Sequence, residues 1–270
     1  VAAAGIAEAD LRAAARLIGN KKSVAVIFGA DLMRSSVADE AIGALVNLAL
    51  VLGALGKETG GLFPVYEKTN IRGLLDMGVA PDMLPGYGVA PSAGKDLWRI
   101  IEGIEQGSIR ALYLLGCDPV ASFPEGERIR AALGKLELLV VQDPFPGEAA
   151  KQAHVVLPSS VAAEKSGTFT TIDGRIQALA KAANPPGEAR EDWRILMDIS
   201  NRMGYPMDYS FPGEIWDEMA SLTPSMAGIN YDRIDRVGLQ WPCPSTDHPG
   251  TKYLHAERFT RGLGKFSPVE

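Results

Sequence analysis

Residues 138–160 read "LLVVQDPFPGEAAKQAHVVLPSS", two short apolar runs that each end at polar or turn-forming residues. Apolar runs of this length, bounded by Pro, Gly and Asp, are typical of strands that are buried in a sheet. A short helix is predicted between them, around residues 147–153. A strand, a helix and a second strand in this order predict two parallel strands.

The same alternation extends towards the amino terminus. A helix is predicted at residues 95–107 before a strand at 109–116, and another at 126–136 before the strand that ends at Asp143. The run "SVAVIFGA" from Ser23 predicts an earlier buried strand. Alternating helices and apolar strands indicate an α/β fold, with a mainly parallel sheet covered on both faces.

Composition excludes several classes of protein. The 270 residues carry a formal net charge of −6, which argues against a general nucleic-acid-binding surface. Cys117 and Cys243 lie far apart and form no CxxC, so they predict no disulfide framework, zinc ribbon or cluster motif, and they suit a reducing cytosol. The most apolar segment, residues 41–55, is too short to span a bilayer and predicts a core helix, without membrane insertion.

The pattern changes after Ser160. A strand-like ribbon follows, "SGTFTTIDGRIQALA", then an amphipathic helix at 191–204 and an irregular tail from Asn230. We predict a sheet domain at residues 1–205 and a helical and irregular extension at 206–270. Residues 56–93, rich in Gly and Pro, predict one long loop, which is expected to be functional or supported by its neighbours. The start at Val1 and the ending "KFSPVE" predict a piece of a longer protein.

Three predicted strands end in residues suited to a ligand. In open parallel sheets, ligands bind outside the carboxyl ends of the strands. Gly116 lets a backbone approach a phosphate closely, and Asp143 can accept hydrogen bonds from a base or sugar. Pro158 precedes two serines at the third strand end. The same residue types also make ordinary turns, so these residues alone leave ligand site and turn as open alternatives.

No catalytic or metal-ligating residues are predicted. The chain has no phosphate-binding loop of the GxxxxGK[ST] type, and no GxGxxG between a strand and a helix. It has no nucleophile elbow. Its three histidines, His154, His248 and His255, lack metal-ligand spacing.

Several separated segments nevertheless resemble one family when taken in order. They are "IRALYLLGCDPVAS", "LELLVVQDPFPGEAAKQAHVVLPSS", "EKSGTFTTIDGRIQ" and "EDWRILMDISNRMGYPM". They look like molybdopterin oxidoreductases, in particular formate dehydrogenase α subunits and the large iron–sulfur G subunit of NADH–quinone oxidoreductase (complex I). The resemblance, from about Ala9 onward, implies a three-layer αβα domain, the third of four in its subunit. That domain would hold one guanine end of a bis-molybdopterin-guanine-dinucleotide cofactor.

Matching positions imply cofactor-binding roles for ten residues: Gly116, Asp118, Pro119, Gln142, Asp143, His154, Gly167, Thr168, Arg175 and Gln177. Five places depart from the family pattern. Pro146-Gly147 stands where a Thr is expected after Gln142-Asp143, and Thr171 replaces an Asn. Asp118 replaces an Asn, His154 replaces an Asp, and Tyr66 stands where formate dehydrogenases carry an Arg beside the metal. A histidine does not offer guanine the bidentate pairing of a carboxylate, and a tyrosine supplies no fixed positive charge to orient formate.

These departures favour a parent like the G subunit of NADH–quinone oxidoreductase, with a degenerate site that has lost the cofactor. The segments "NIRGLLDMGVAPDMLPGY" and "GLQWPCPSTDHPGT" favour a formate dehydrogenase α subunit that oxidises formate at molybdenum. Either parent implies iron–sulfur clusters in segments before this chain and further domains of the same chain. It also implies partner subunits of a respiratory or formate-oxidising complex.

The resemblance implies a cytoplasmic location, or one at the inner face of the membrane through partner subunits. The chain alone is predicted to have no redox activity. Two other hypotheses stay open: a non-enzymatic scaffold with an empty nucleotide cleft, and a free-standing nucleotide-binding protein. The second predicts affinity for GMP or GDP that Asp143→Ala removes.

Overall fold

The computed structural model describes residues 4–259 and 262–268. The helices are α1 (Glu8–Gly19), α2 (Ala30–Met33), α3 (Ala38–Val51), α4 (Ile71–Asp76), α5 (Leu97–Glu105), α6 (Pro119–Ser122), α7 (Gly126–Leu133), α8 (Asp192–Arg202), α9 (Pro212–Leu222) and α10 (Tyr231–Ile234). The strands are β1 (Ala25–Gly29), β2 (Gly61–Val65), β3 (Met83–Leu84), β4 (Gly88–Val89), β5 (Ala111–Leu115), β6 (Leu138–Asp143), β7 (Val155–Pro158), β8 (Gly167–Thr170), β9 (Arg175–Leu179) and β10 (Leu239–Gln240). The helix predicted at 147–153 is a short 3-10 helix, Ala149–Gln152.

The central sheet consists of β5, β6 and β7 in that order, and both pairings are parallel. One face of this sheet packs on α5 and α7. Ile101 and Ile104 of α5 and Ile129 of α7 are buried with Leu139 and Val141 of β6 in the first hydrophobic core. The alternation of helices and parallel strands predicted from residue 95 to residue 158 is therefore confirmed.

The parallel strands form two sheets rather than one. β1 pairs in parallel with β2, separately from the central sheet. Ile27, in the middle of β1, is 68% exposed, so the prediction that this strand is buried is wrong. On the second face of the central sheet, Tyr113 and Leu115 are also exposed while Gln142 is buried, so the described residues cover that face only in part. The apolar sequence correctly predicted that these segments form strands. Whether their side chains are buried depends on which other elements pack against each sheet.

The segment at 56–93 is not the single unstructured loop that its composition predicts. It contains β2, α4 and the short antiparallel pair β3–β4. Asn70, which precedes α4, accepts a hydrogen bond from the Thr170 amide of β8 at 2.8 Å. Contacts with elements distant in sequence therefore order this segment.

A second hydrophobic core lies in the carboxyl-terminal part. β8, β9 and β10 form an antiparallel sheet. Ile176 of β9 is buried with Trp216 of α9, Met226 and Ile234. This core includes residues on both sides of residue 205, the predicted domain boundary, and that boundary stays a prediction.

The most apolar segment forms α3, a helix as predicted. Ala49 of α3 is fully buried, while Val51 at its end is exposed. Within residues 4–259 and 262–268, no helix is both long and apolar enough to cross a membrane.

Candidate functional site

The carboxyl ends of β5, β6 and β7 meet at one edge of the central sheet. Leu115 lies opposite Gln142, and Asp143 lies opposite Pro158. We call the group Gly116, Cys117, Asp143 and Ser160 the strand-end site, since each follows or ends one of these strands. Ligands of open parallel sheets bind at such an edge, which makes it the candidate functional site.

Gly116 follows β5 in a backbone conformation that favours glycine. Its φ is +59°, in the left-handed region that residues with a Cβ rarely adopt. Its amide donates to the Gln142 carbonyl at 2.9 Å. Beyond its chain neighbours, no heavy atom lies within 4 Å of the place that a side chain would occupy. The backbone at Gly116 is therefore open to close approach by a ligand.

A pocket of about 120 Å³ lies at this edge, lined by Cys117, Asp118, Val141, Asp143, Phe145, Gly147, Ala149 and Ala150. Most of these side chains are small or apolar. The volume is below the roughly 300–1,000 Å³ of typical small-molecule sites. The pocket can therefore receive one part of a larger ligand.

Asp118 joins the two loops that form this pocket. Its carboxylate caps α6, with Oδ1 accepting from the Val120 amide at 3.1 Å. Across the pocket it accepts from the Glu148 amide through Oδ2 and from the Ala149 amide through Oδ1. Both oxygens are therefore occupied by backbone donors, and an asparagine would supply only one. Asp118 holds the site together, and the next residue, buried Pro119, begins α6.

Asp143 is the carboxylate available to a ligand. Its Oδ1 accepts from the Phe145 amide at 2.9 Å, which forms the turn after β6. Among the described residues, Oδ2 accepts no hydrogen bond. Asp143 therefore forms the turn through one oxygen, and its role in binding a ligand through the other stays a prediction.

Gln142 supports the strand-end site through its buried side chain. Its side chain is fully buried and accepts from the Tyr113 hydroxyl. Its Nε2 donates to Asp192 Oδ1 at 2.9 Å, and Asp192 in turn pairs with Lys165. Because these groups satisfy one another, Gln142 links β6 to the start of α8 and has no side-chain atom at the surface.

His154 lies at the opposite edge of the sheet. It immediately precedes β7, whose carboxyl end forms the site, and its Nδ1 accepts from the Leu139 amide at 2.9 Å. The structure therefore does not bring His154 to the strand-end site. The family motif placed it there by sequence position, but the length of a strand separates the two edges.

The four predicted cofactor-binding residues on β8 and β9 do not line the strand-end pocket either. Gly167 and Thr168 belong to β8, and Thr168 lines a separate cavity beside Asn70. Arg175 of β9 donates to the Val237 carbonyl and to Gln240, and Gln177 is exposed. Their cofactor-binding role stays a prediction.

A buried carboxylate that the sequence did not single out organises the segment around Tyr66. Asp76 accepts from Arg72 Nε at 3.1 Å, from the Tyr87 hydroxyl at 2.6 Å and from Trp241 Nε1 at 2.8 Å. We call Arg72, Asp76, Tyr87 and Trp241 the Asp76 network. Burial and the hydrogen bond to Asp76 raise the pKa of Tyr87. The only sign of this buried carboxylate in the sequence was the single acidic residue in the segment "IRGLLDMG".

Tyr66 lies in the electrostatic field of this network. Burial raises the pKa of Tyr66, the Arg72 charge opposes the rise, and the Asp76 charge adds to it. Tyr66 is therefore neutral at physiological pH. The nearby cation, Arg72, is paired with Asp76 and lies 5.0 Å from the centre of the Trp241 ring.

The strand-end site fits the nucleotide end of the cofactor that the family resemblance implies. Gly116 opens its backbone, Asp143 presents a free carboxylate oxygen, and an apolar pocket lies beside both. The Ser160 hydroxyl is buried and has no hydrogen-bond partner among the described residues. A buried polar atom without a partner is costly unless a bound group or water satisfies it. No group of three or more His, Cys, Asp or Glu in the described ranges is placed to hold a metal ion.

Gly147→Ala is expected to destabilise the protein by about 1–3 kcal/mol, the usual cost of overpacking. The new Cβ would overlap the Asp118 carboxylate and displace it from the Glu148 amide. Urea unfolding measures the change. Gly19→Ala at the end of α1 is the control, because nothing lies within 4 Å of its Cβ position. Equal stability of the two variants would show that Asp118 does not join the two loops.

Cys117 is expected to be alkylated more slowly than a free thiol at pH 8. Burial raises the pKa of the Cys117 thiol, Lys68 opposes this, and Asp118 and Asp143 add to it. Since the thiolate is the reactive form, the iodoacetamide rate should rise with a midpoint above the usual value of about 8.5. Asp143→Asn removes one negative charge and should lower that midpoint.

Cys117→Ser is the control for this measurement. Cys243 is fully buried and should contribute no signal. A midpoint at or below the free-thiol value would contradict the burial of Cys117 between the two loops.

Comparisons with known proteins agree on one family. The family model for molybdopterin oxidoreductases matches residues 11–202. The NADPH-Fe(3+) oxidoreductase subunit alpha of Geobacter sulfurreducens is 66% identical over 241 aligned positions, and the match covers 84% of this chain and 28% of that protein. The F420-dependent formate dehydrogenase subunit alpha of Methanocaldococcus jannaschii is 37% identical over 277 aligned positions, and the match covers 95% of this chain and 41% of that protein.

Among solved structures, acetylene hydratase from Pelobacter acetylenicus is similar over 59% of this chain and 23% of the acetylene hydratase chain. The TM-score is 0.45 and the identity 15%. This chain spans less than half the length of both alpha subunits that it matches.

Proposed function

The chain belongs to the molybdopterin oxidoreductase family, and from that premise we propose that it is part of the alpha subunit of an NADPH-dependent ferric oxidoreductase. The observation that carries this proposal is the 66% identity to the subunit of that name, against 37% for a formate dehydrogenase subunit. The parent would then move electrons from NADPH to a ferric acceptor. Formate dehydrogenase is the second candidate, because that relative matches nearly the whole chain.

The role of this chain within such a subunit is to hold one nucleotide end of the cofactor. A bound molybdopterin cofactor supplies the redox-active metal centre. Gly116 would admit a phosphate against its backbone, and Asp143 Oδ2 would accept the N–H donors of guanine. Asp118 would support the site by joining its two loops, and Gln142 by linking β6 to the start of α8.

The neutral Tyr66 argues against formate as the substrate. A small carboxylate is oriented best by a fixed, available cation. Arg72 is 16% exposed and is already paired with Asp76. Arg72 therefore offers formate no free positive charge, which favours the ferric oxidoreductase.

A parent of the NADH–quinone oxidoreductase type ranks behind both candidates. That assignment relied on five departures from the family pattern. His154 lies away from the strand-end site, and Asp118 serves as a structural acceptor, so neither of these departures indicates a lost cofactor. Tyr66 concerns the substrate rather than the nucleotide end, which leaves Pro146-Gly147 and Thr171 as the support for this parent.

Partner subunits and iron–sulfur clusters follow from the same proposal. Both relatives are named as alpha subunits, which supports assembly with at least one other subunit. Clusters would lie in parts of the parent outside this chain. We place the complex in the cytoplasm or at the inner face of the membrane, which suits the use of NADPH.

The full-length protein, purified anaerobically with its associated subunits, tests the proposal. We expect NADPH-dependent reduction of ferric citrate, no formate oxidation, and about one molybdenum with its pterin per chain. Formate oxidation in the same preparation would select the formate dehydrogenase. A preparation that contains iron but neither molybdenum nor pterin, and that shows neither ferric reduction nor formate oxidation, would select the structural scaffold.

A further inference from the structure

A second, larger pocket lies next to the strand-end site, because the Arg190 carbonyl in its wall accepts from the Ser160 amide at 2.9 Å. It has a volume of about 390 Å³, within the range of typical small-molecule sites. Ser166 and Lys181 contribute from the two ends of the β8–β9 hairpin, Arg190 and Arg194 from the start of α8, and Phe211 from the start of α9. None of these residues belongs to the strand-end site or the Asp76 network.

Three basic residues and one acidic residue line this pocket. Lys181, Arg190 and Arg194 line it, and Glu191 is the acidic residue among its walls. The chain as a whole carries a net charge of −6, so this concentration of positive charge runs against its overall composition. Positive charge in a concave surface concentrates anions there.

The two arginines are held in position. Arg190 pairs with Asp198 at 2.7 Å. Arg194 pairs through Nε with Glu191 at 3.0 Å, donates from Nη2 to the Ser210 carbonyl at 3.3 Å, and lies 4.2 Å from the centre of the Trp193 ring. A guanidinium has five N–H donors, so each arginine keeps donors for a ligand. Little side-chain entropy would be lost when an anion binds.

Lys181 and Ser166 complete the polar wall. Lys181 makes no ion pair within the described part of the chain, and its amide donates to the Ser166 hydroxyl oxygen at 3.3 Å. The ammonium group and the Ser166 hydroxyl proton are therefore both available to an anion. The opposite wall is apolar and consists of Pro185, Phe211 and Pro212.

From this arrangement we infer that the pocket binds a phosphate-bearing ligand with an aromatic ring, of the size of a mononucleotide. Arg190, Arg194 and Lys181 would take the phosphate, since guanidinium forks match its oxygens. Phe211 would take the ring by stacking. This inference does not depend on the proposed function, because it involves neither the strand-end site nor the redox reaction.

Calorimetric titration of the full-length protein with AMP tests the inference. We expect saturable binding at low salt that weakens as salt is added, weaker binding of inorganic phosphate, and no measurable binding of adenosine. Lys181→Ala should weaken AMP binding at least about tenfold, the order expected for one lost charge-assisted hydrogen bond. Lys22→Ala, an exposed lysine near the amino terminus, should leave it unchanged.

Four results would overturn the inference: no saturable AMP binding, equal binding of adenosine, equal binding of the dicarboxylate glutarate, or equal affinity of the two lysine variants. Asp143→Ala separates this pocket from the strand-end site. It should not change AMP binding, and a loss of AMP binding in that variant would place the nucleotide at the strand ends instead.

Discussion

Replacing Asp76 by alanine is expected to destabilise its surroundings by about 3–5 kcal/mol, the usual cost of breaking a buried ion pair. The Asp76 side chain is 1% exposed and accepts from three donors in the Asp76 network. Its removal leaves the Arg72 charge, the Tyr87 hydroxyl and the Trp241 indole without their acceptor. Buried donors without partners account for most of the expected loss.

Hydrogen exchange measured by mass spectrometry is the appropriate readout, because it reports local opening within a large protein. Peptides that cover α4 and β10 should lose roughly 10²–10⁴-fold in protection, the factor that corresponds to this free energy. Tyr87→Phe removes one hydrogen bond and should cost only about 0.5–1.5 kcal/mol.

The matched control is Glu8→Ala. Glu8 pairs with Arg12 at the same four-residue spacing as Arg72 and Asp76, but both partners are more than 60% exposed. Exposed pairs contribute about 0–1 kcal/mol. If Asp76→Ala changed protection no more than Glu8→Ala does, the Asp76 network would not order the segment that carries Tyr66.

Replacing Asp143 by alanine is expected to lower the affinity for the guanine end of the cofactor by roughly 10- to 150-fold. This range corresponds to the about 1.5–3 kcal/mol of a hydrogen bond to a charged group. The measurement is the guanine nucleotide released by acid hydrolysis from the full-length protein, per chain, after dialysis. Asp143→Ala also removes the acceptor of the Phe145 amide, so a second variant is needed.

Asp143→Asn separates the two roles of this side chain. The amide oxygen of asparagine can still accept from Phe145, but it replaces the free carboxylate oxygen with an N–H₂ donor. Recognition of guanine predicts that both variants lose nucleotide. If Asp143→Asn retained all of the guanine nucleotide, the role of Asp143 would be limited to forming the turn. Asp96→Asn, at the exposed cap of α5, is the control for loss of a capping carboxylate elsewhere.

The variants described here act at separate places. Gly147→Ala acts on the pocket wall, Asp76→Ala on the segment that carries Tyr66, and Lys181→Ala on the cationic pocket. Loss of nucleotide in Asp143→Ala with normal protection at α4 would therefore identify a binding defect. Loss of both would indicate general unfolding.

The sequence by itself determined the α/β class, the parallel order of β5, β6 and β7, and the edge where a ligand would bind. Those features depend on local patterns: apolar runs of strand length, helices between them, and Gly or Asp at the strand ends. Asp143 and Gly116 were predicted for that reason, since a strand end is a local feature of the chain.

Only the tertiary structure decided which polar side chains are available. Asp118 and Gln142 follow the family pattern in position, yet their side chains are occupied by Glu148, Ala149, Tyr113 and Asp192. His154 was displaced from the site by the length of β7. The acceptor of Trp241 is Asp76, 165 residues away in sequence. The partners of a buried polar group come from distant segments, so a sequence pattern can place the group but not show whether it is free to bind a ligand.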